Sequence, residues 1–148
     1  MRAGAKLAPE QQQRYAALAE RLATLQTTFT QSVTLDESDV FVALAPGDLD
    51  GCPADLVAAA QAAAASDRGA GFDTLGPPAA QGRSGLVAPL ARSFVEPLLT
   101  TCPRRAVRAR VFAAWSRRGE LSPGRDNKAV GVEILQASVG SGYLLVLQ

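Results

Sequence analysis

Between Pro9 and Val33 the large apolar residues Tyr15, Leu18, Leu22, Leu25, Phe29 and Val33 recur at spacings of 3, 4, 3, 4 and 4. That is one stripe of a long amphipathic helix. Gln12, Gln13, Glu20, Arg21, Thr24, Thr27 and Thr28 lie between them and make the rest of the surface polar, so other segments must cover the stripe for the helix to be stable. Over this stretch the helix would extend about 37 Å. The pattern sustains too few heptads, and has no charge pairs beside the seam, for a dimerisation zipper; a core helix is expected. Pro9 and Glu10 suit its first turn, which places the start near Ala8, and the end is expected around Thr34 to Glu37.

Val40, Phe41, Val42, Ala43 and Leu44 follow as a continuous β-rich run, the pattern of a strand covered on both faces, and Ala45-Pro46-Gly47-Asp48 turns the chain. Pro53 and Asp55 open a second helix whose Leu56 to Ala65 body is mostly alanine, with Ser66-Asp67-Arg68-Gly69 as its stop. Gly69 to Gly85 reads as a loop with a short extended piece at Phe72 to Leu75; its glycine spacing fits neither the Walker nor the dinucleotide pattern. Leu86 to Leu90 is expected to pair with Val40 to Leu44 as a ribbon, with Pro89 confining it to an edge.

Ser93 and Glu96 have capping-box spacing, predicting a helix from Phe94 to Thr101 with Pro97 in its first turns. Pro103 restarts a helix in which Val107, Val111, Phe112 and Trp115 form a narrow core-facing stripe, ended by Gly119. After the turn Ser122-Pro123-Gly124, Asp126 or Asn127 caps a last helix with Val130, Ile134 and Leu135 as apolar positions, where Gly131 costs about 1 kcal/mol relative to alanine. Ser138 to Gln148 reads as a strand or a disordered tail, and its apolar run Tyr143 to Leu147 is far too short to cross a bilayer. The predicted fold class is mainly α: a helical domain with a long amphipathic first helix, about five helices and at most one short two-stranded β ribbon.

Composition narrows the class further. A chain of 148 residues with 47% hydrophobic and 20% charged positions can bury the core of one domain. Its net charge of +1 conceals an asymmetry: Met1 to Cys102 carries 7 basic and 11 acidic residues, Pro103 to Lys128 carries 8 basic and 2 acidic. Met1 to Leu7 has two basic residues and no apolar run after them, so neither a secretory signal nor a membrane anchor is expected, and a cytoplasmic location is. Cys52 and Cys102 are far apart in sequence, each followed by a proline, and in a reducing compartment no disulfide is expected. With no histidine in the chain, a His/Cys metal site has no ligand set.

Three blocks in order resemble the thimet oligopeptidase, oligopeptidase A and peptidyl-dipeptidase type of zinc metallopeptidases. Gly4 to Glu37, GAKLAPEQQQRYAALAERLATLQTTFTQSVTLDE, is similar to a long family helix ending in a Thr-x-Phe-x-Gln-x-Val phrase, here Thr27, Phe29, Gln31 and Val33. Leu49 to Gly69, LDGCPADLVAAAQAAAASDRG, is similar to a Leu-x-Gly-x-Pro phrase before an alanine-rich helix. Ser93 to Leu135, through SFVEPLLTTCPRRAVRARVFAAWSRRGE and DNKAVGVEIL, is similar to the segment upstream of the catalytic half, and the peptidyl-dipeptidase branch fits best. The resemblance implies that residues 1–135 are a helical amino-terminal region, part of the wall over a peptide channel, with 136–148 an unmatched tail. Gly131 departs from it, standing where the family has a bulky apolar residue.

In the intact family zinc is held by a His-Glu-x-x-His helix and a downstream glutamate, and peptide hydrolysis follows from the metal-bound water. None of these residues can be carried over, so the resemblance assigns this chain no catalytic, no cofactor-binding and no metal residue. It implies an amino-terminal fragment, inactive alone, from a truncated gene product or a split enzyme. The expected partners are a chain supplying the missing catalytic half and, for the intact family, short peptides; membrane and nucleic acid are not expected. Ser93 with Glu96, and Asp36 with Glu37 and Asp39, resemble acid-base groups but read more simply as a helix cap and a solvated turn. The alternatives are a free-standing helical interaction domain, or a nucleic-acid-binding module through the arginine-rich helix at 104–118. The arginines Arg104, Arg105, Arg108 and Arg110 have a simpler reading as a solvated helix face paired with the acidic first half.

Overall fold

A computed structural model describes residues 8–66, 73–75, 86–122 and 124–146. The Tyr15 to Val33 stripe lies on helix α1, Pro9–Asp39, which runs past the expected ending. Tyr15, Leu18, Leu22 and Val33 are half-buried and Leu25 is buried, whereas Phe29 is 37% exposed. The chain is mainly helical, with five helices and a small sheet among the described residues, as the hydrophobic pattern predicts. No helix among them is long and apolar enough to cross a membrane. The described chain divides into two compact units, Val33–Arg125 and Met1–Ser32 with Asp126–Gln148.

In the Val33–Arg125 unit the centre is strand β1, Val40–Ala43, every residue of which is buried. Helix α2 is Ala54–Ala65, β2 is Asp73–Leu75, β3 is Val87–Pro89, α3 is Arg92–Thr101 and α4 is Arg105–Ser116. The expected ribbon forms with β1 antiparallel to β3, Val42 opposite Ala88, and Pro89 does sit on an edge strand. Within the extended piece expected at Phe72 to Leu75, the described residues Asp73–Leu75 form a third strand on the other side: β2 runs parallel to β1 with Val42 opposite Leu75, giving the order β2-β1-β3. A strand flanked on both sides has its backbone donors and acceptors paired, which suits the uninterrupted apolar run that made β1 legible. The rest of the Gly69 to Gly85 loop and most of the Ser66-Asp67-Arg68-Gly69 stop lie outside the described residues.

The core of this unit joins Val40, Val42 and Leu44 to Leu56 and Ala60 of α2, Phe94, Val95 and Leu98 of α3, and Val107, Val111 and Ala114 of α4. Two expectations about α3 and α4 need correction. Helix α3 starts earlier than the Ser93 capping box requires: Ala91 occupies the cap position without a side-chain bond, and Glu96 accepts from Arg92 Nε at 2.7 Å instead. The helix absorbs Pro97 in its interior. Phe112 was expected in the core but is 51% exposed, because the buried face of α4 is the narrower row Val107, Val111, Ala114, with Trp115 half-buried at its margin.

In the other unit the first part of α1 lies antiparallel beside helix α5, Asn127–Val146. The pairing is registered by Asn127 Nδ2 donating to the Phe29 carbonyl at 3.0 Å, by Arg21 Nη2 donating to both carboxylate oxygens of Glu133 at 2.9 and 2.7 Å, and by Gly140 beside Leu18. Asp126 caps α5 as expected, its Oδ1 accepting from the backbone of Lys128 at 3.0 Å and Ala129 at 3.2 Å. Two corrections fall here. The helix continues through Gly140 and Gly142 to Val146, where a strand or disordered tail was expected from Ser138 onward. Leu135, expected to be an apolar core position, is 68% exposed, in one outward row with Val132 and Val139.

Candidate functional site

The arginine-rich helix is where the alternative reading placed a nucleic-acid footprint, and its side chains are turned to use within the fold. Arg104 Nη2 donates to Asp50 Oδ2 at 3.1 Å, Arg110 Nη2 to Asp48 Oδ2 at 2.5 Å, and Arg108 Nη1 to the Cys102 carbonyl. Asp48 also holds its own turn, Oδ2 accepting from the Ala45 backbone at 2.9 Å. Three of the four arginines thus serve the turn between β1 and α2 and the junction between α3 and α4. The Arg104 pair is half exposed and contributes at most about 1 kcal/mol, while the Arg110 pair is sheltered and is the stronger tether. Arg105 is exposed at the rim of a shallow depression with Leu99 and Phe112.

A second polar cluster gathers the acidic end of α1. Asp36 is fully buried, and its carboxylate accepts from the backbone of Gly119 at 2.6 Å and Leu121 at 3.0 Å, from Ser122 Oγ at 3.0 Å and from Arg125 Nη1 at 2.6 Å. Burial raises the Asp36 pKa, but the bonds from Leu121, Arg125, Ser122 and Gly119 outweigh it and hold the carboxyl below the usual aspartate value. Arg125 reaches Asp39 with its other nitrogen at 2.9 Å, and that bond, against the cost of burial and with the help of Asp36, pushes the guanidinium pKa up. Glu37 pairs with Arg118, whose guanidinium also lies 4.5 Å over the Trp115 ring. Gly119 takes a φ of +92°, a turn that glycine makes without strain and that aims its N–H at Asp36.

Asp36, Glu37 and Asp39 were expected to form a solvated turn. The structure corrects this: Asp36 is sealed inside, and all three pair with arginines that follow the end of α4, Glu37 with Arg118 and both Asp36 and Asp39 with Arg125. A carboxylate with four donors on it and no exposure has neither a free lone pair nor access for a substrate proton, so Asp36 is a structural anchor. Ser93 and Glu96 are exposed on α3; Ser93 borders an open depression of about 380 Å³ between α2 and α3 lined by Pro53, Leu56, Pro89, Phe94 and Pro97. Asp55, Ser93 and Thr101 also line it; Asp55 Oδ1 accepts from the Leu56 N–H and Thr101 Oγ1 donates to the Pro97 carbonyl, so both are engaged with the backbone of their own helices.

Zinc, the metal of the resembled family, does not fit the residues present: the chain has no histidine, and among the described residues no three of His, Cys, Asp and Glu gather as a ligand group. The grouping that sequence reasoning set aside, by expecting no disulfide, is the pair Cys52 and Cys102: Cys102 lies in the buried cluster and Cys52 packs against it. Its only signal was that each cysteine precedes a proline and lies at a predicted helix boundary. No protein-family model matches the chain, and no curated protein is a match for it.

Proposed function

We propose that this chain is the helical amino-terminal region of a zinc oligopeptidase of the peptidyl-dipeptidase type, contributing channel wall and no chemistry of its own. The observation that carries the reading is the ordered likeness of Gly4 to Glu37, Leu49 to Gly69 and Ser93 to Leu135 to one family. The described elements are compatible with it: each block coincides with helices, α1 with the first, α2 with the second, and α3, α4 and the start of α5 with the third. Zinc and the water-activating glutamate would be supplied by a separate catalytic half, and short peptides would be the substrate of the assembled pair.

The nucleic-acid alternative loses its motive once Arg104, Arg108 and Arg110 are accounted for by Asp50, the Cys102 carbonyl and Asp48. A free-standing interaction domain explains no particular residue. The test mixes the purified chain with a separately expressed catalytic half of such a peptidase, then reads co-elution in gel filtration and cleavage of a quenched short peptide. The chain alone is expected to be inactive and the mixture to cleave in a chelator-sensitive way. Failure of a folded catalytic half to bind the chain or gain activity, or chelator-sensitive cleavage by the chain alone, would overturn the reading.

A further inference from the structure

Cys52 closes the turn before α2, and Cys102 caps the C-terminus of α3, its backbone N–H donating to the Leu98 carbonyl. The two turns touch: a Cβ placed on Gly51 would sit 3.1 Å from the Pro103 ring. Within this contact Cys52 packs against the buried cluster that contains Cys102, and burial and the neighbouring Cys102 thiol are among the causes that push the Cys52 thiol up. Cys102 Sγ in turn lies 3.8 Å from the Asp48 carbonyl and 3.9 Å from that of Arg104, so the β1–α2 turn and the α3–α4 junction both reach the Cys102 sulfur. Cys102 is 2% exposed, Cys52 is half-buried and both are free thiols, which makes Cys52 the one an incoming reagent meets first.

We propose that Cys52 and Cys102 are a redox site: a dithiol that converts to an intrachain disulfide by exchange with a small-molecule disulfide of the oxidised-glutathione class, locking the β1–α2 turn to the α3–α4 junction. In the first step the Cys52 thiol loses its proton to solvent and its sulfur attacks one sulfur of the small disulfide, which releases one thiolate that takes up a proton. In the second, Cys102 loses its proton and attacks Cys52 Sγ, expelling the second small thiol. Two electrons pass from the protein dithiol to the small disulfide; one protein S–S bond forms, one small-molecule S–S bond breaks and two small thiols are released. Burial, the neighbouring Cys102 thiol and the Asp50 carboxylate push the Cys52 thiol up to about 11, so little thiolate is present near neutrality and the reduced form resists casual oxidation. Adjacency of the second thiol then makes the closing step fast relative to loss of the mixed disulfide.

The test equilibrates the full chain, native and in guanidinium, with oxidised and reduced glutathione over a range of ratios. Tryptic mass spectrometry then follows peptides 22–68 and 93–104, which carry the two cysteines. Under native conditions the expected product is a monomer with the two peptides linked, forming at a glutathione ratio at least about tenfold more reducing than in guanidinium, because the folded chain holds the thiols together. The oxidised chain should unfold more than about 5 °C above the reduced one. C102A should stop at a glutathione adduct on Cys52, and C52A should stay unmodified at buried Cys102; native circular dichroism of each confirms that the comparison is between folded proteins. A persistent adduct on Cys52 in the native wild-type chain, a disulfide between two chains, or linkage only in guanidinium would overturn the proposal.

Discussion

Asp36 and Arg125 stand 89 positions apart in sequence and 2.6 Å apart in the fold, and between them they gather Ser122, Gly119, Leu121 and Asp39 into one polar knot. The acid is fully buried while the base is 20% exposed at its side chain, so the two halves of the pair are not equivalent. Removing the acid strands two backbone donors and a buried part of a guanidinium. Removing the base leaves the carboxylate with three other donors. Replacing Asp36 by Ala should therefore destabilise the chain by about 3 kcal/mol, as for other broken buried pairs, and Arg125→Leu by clearly less. Urea unfolding followed by circular dichroism checks the order; an equal or larger loss for Arg125→Leu would contradict the geometry.

The same knot sets a dependence on acid. The Asp36 carboxyl is held below its ordinary value of about 3.9, so the folded state binds fewer protons than the unfolded one in that range. Its contribution is fully present above the unfolded value and is lost as pH falls through the lower folded value. The stability gap between the wild type and Asp36→Asn should thus be constant from pH 7 to about 5 and close below about 4. A gap that widens on acidification would mean that the carboxyl is protonated in the fold.

The arginines of α4 should bind no nucleic acid. Fluorescence anisotropy with labelled duplex and single strands should show no steeply salt-dependent association, because Arg104, Arg108 and Arg110 are already committed inside the unit. Charge reversal at these positions should read out in stability instead: Arg110→Glu, beside sheltered Asp48, should cost more than Arg104→Glu, beside exposed Asp50. Micromolar binding at physiological salt that disappears on reversal would reinstate the alternative.

What local pattern carries was legible here. The 3–4 spacing from Tyr15 to Val33, the run Val40 to Leu44, the Pro89 edge and the Asp126 cap each depend on neighbours within a few residues. What failed depends on competition or distance. The Ser93 and Glu96 spacing is a valid cap signal, yet Arg92 four residues before Glu96 claims that carboxylate and the helix begins earlier. Gly140 and Gly142 read as a break, but two penalties of about 1 kcal/mol are small against continuing a 20-residue helix. Asp36 with Arg125 and Cys52 with Cys102 are long-range meetings that no periodicity encodes. The charge asymmetry between the two halves of the sequence was the one trace of the first, and it found the partners only as classes, acid with base.

The outward row of α5 leads to the final prediction. Val132, Leu135 and Val139 are each more than half exposed at helical spacing, while on the facing helix Leu25 is 5% exposed and holds the packing of its unit. Changing the row to Lys or Glu removes little buried area, so each substitution should alter stability by less than about 0.5 kcal/mol. Leu25→Ala, by contrast, should cost about 2 to 4 kcal/mol through lost burial and the space left behind. An apolar row on a helix is also a surface that water disfavours, so the substitutions should lower hydrophobic-dye binding and light scattering while leaving thermal unfolding in place. If the triple variant instead unfolds well below the wild type, this row is packed in solution against something in the chain, and the exposed face of α5 is not its resting state.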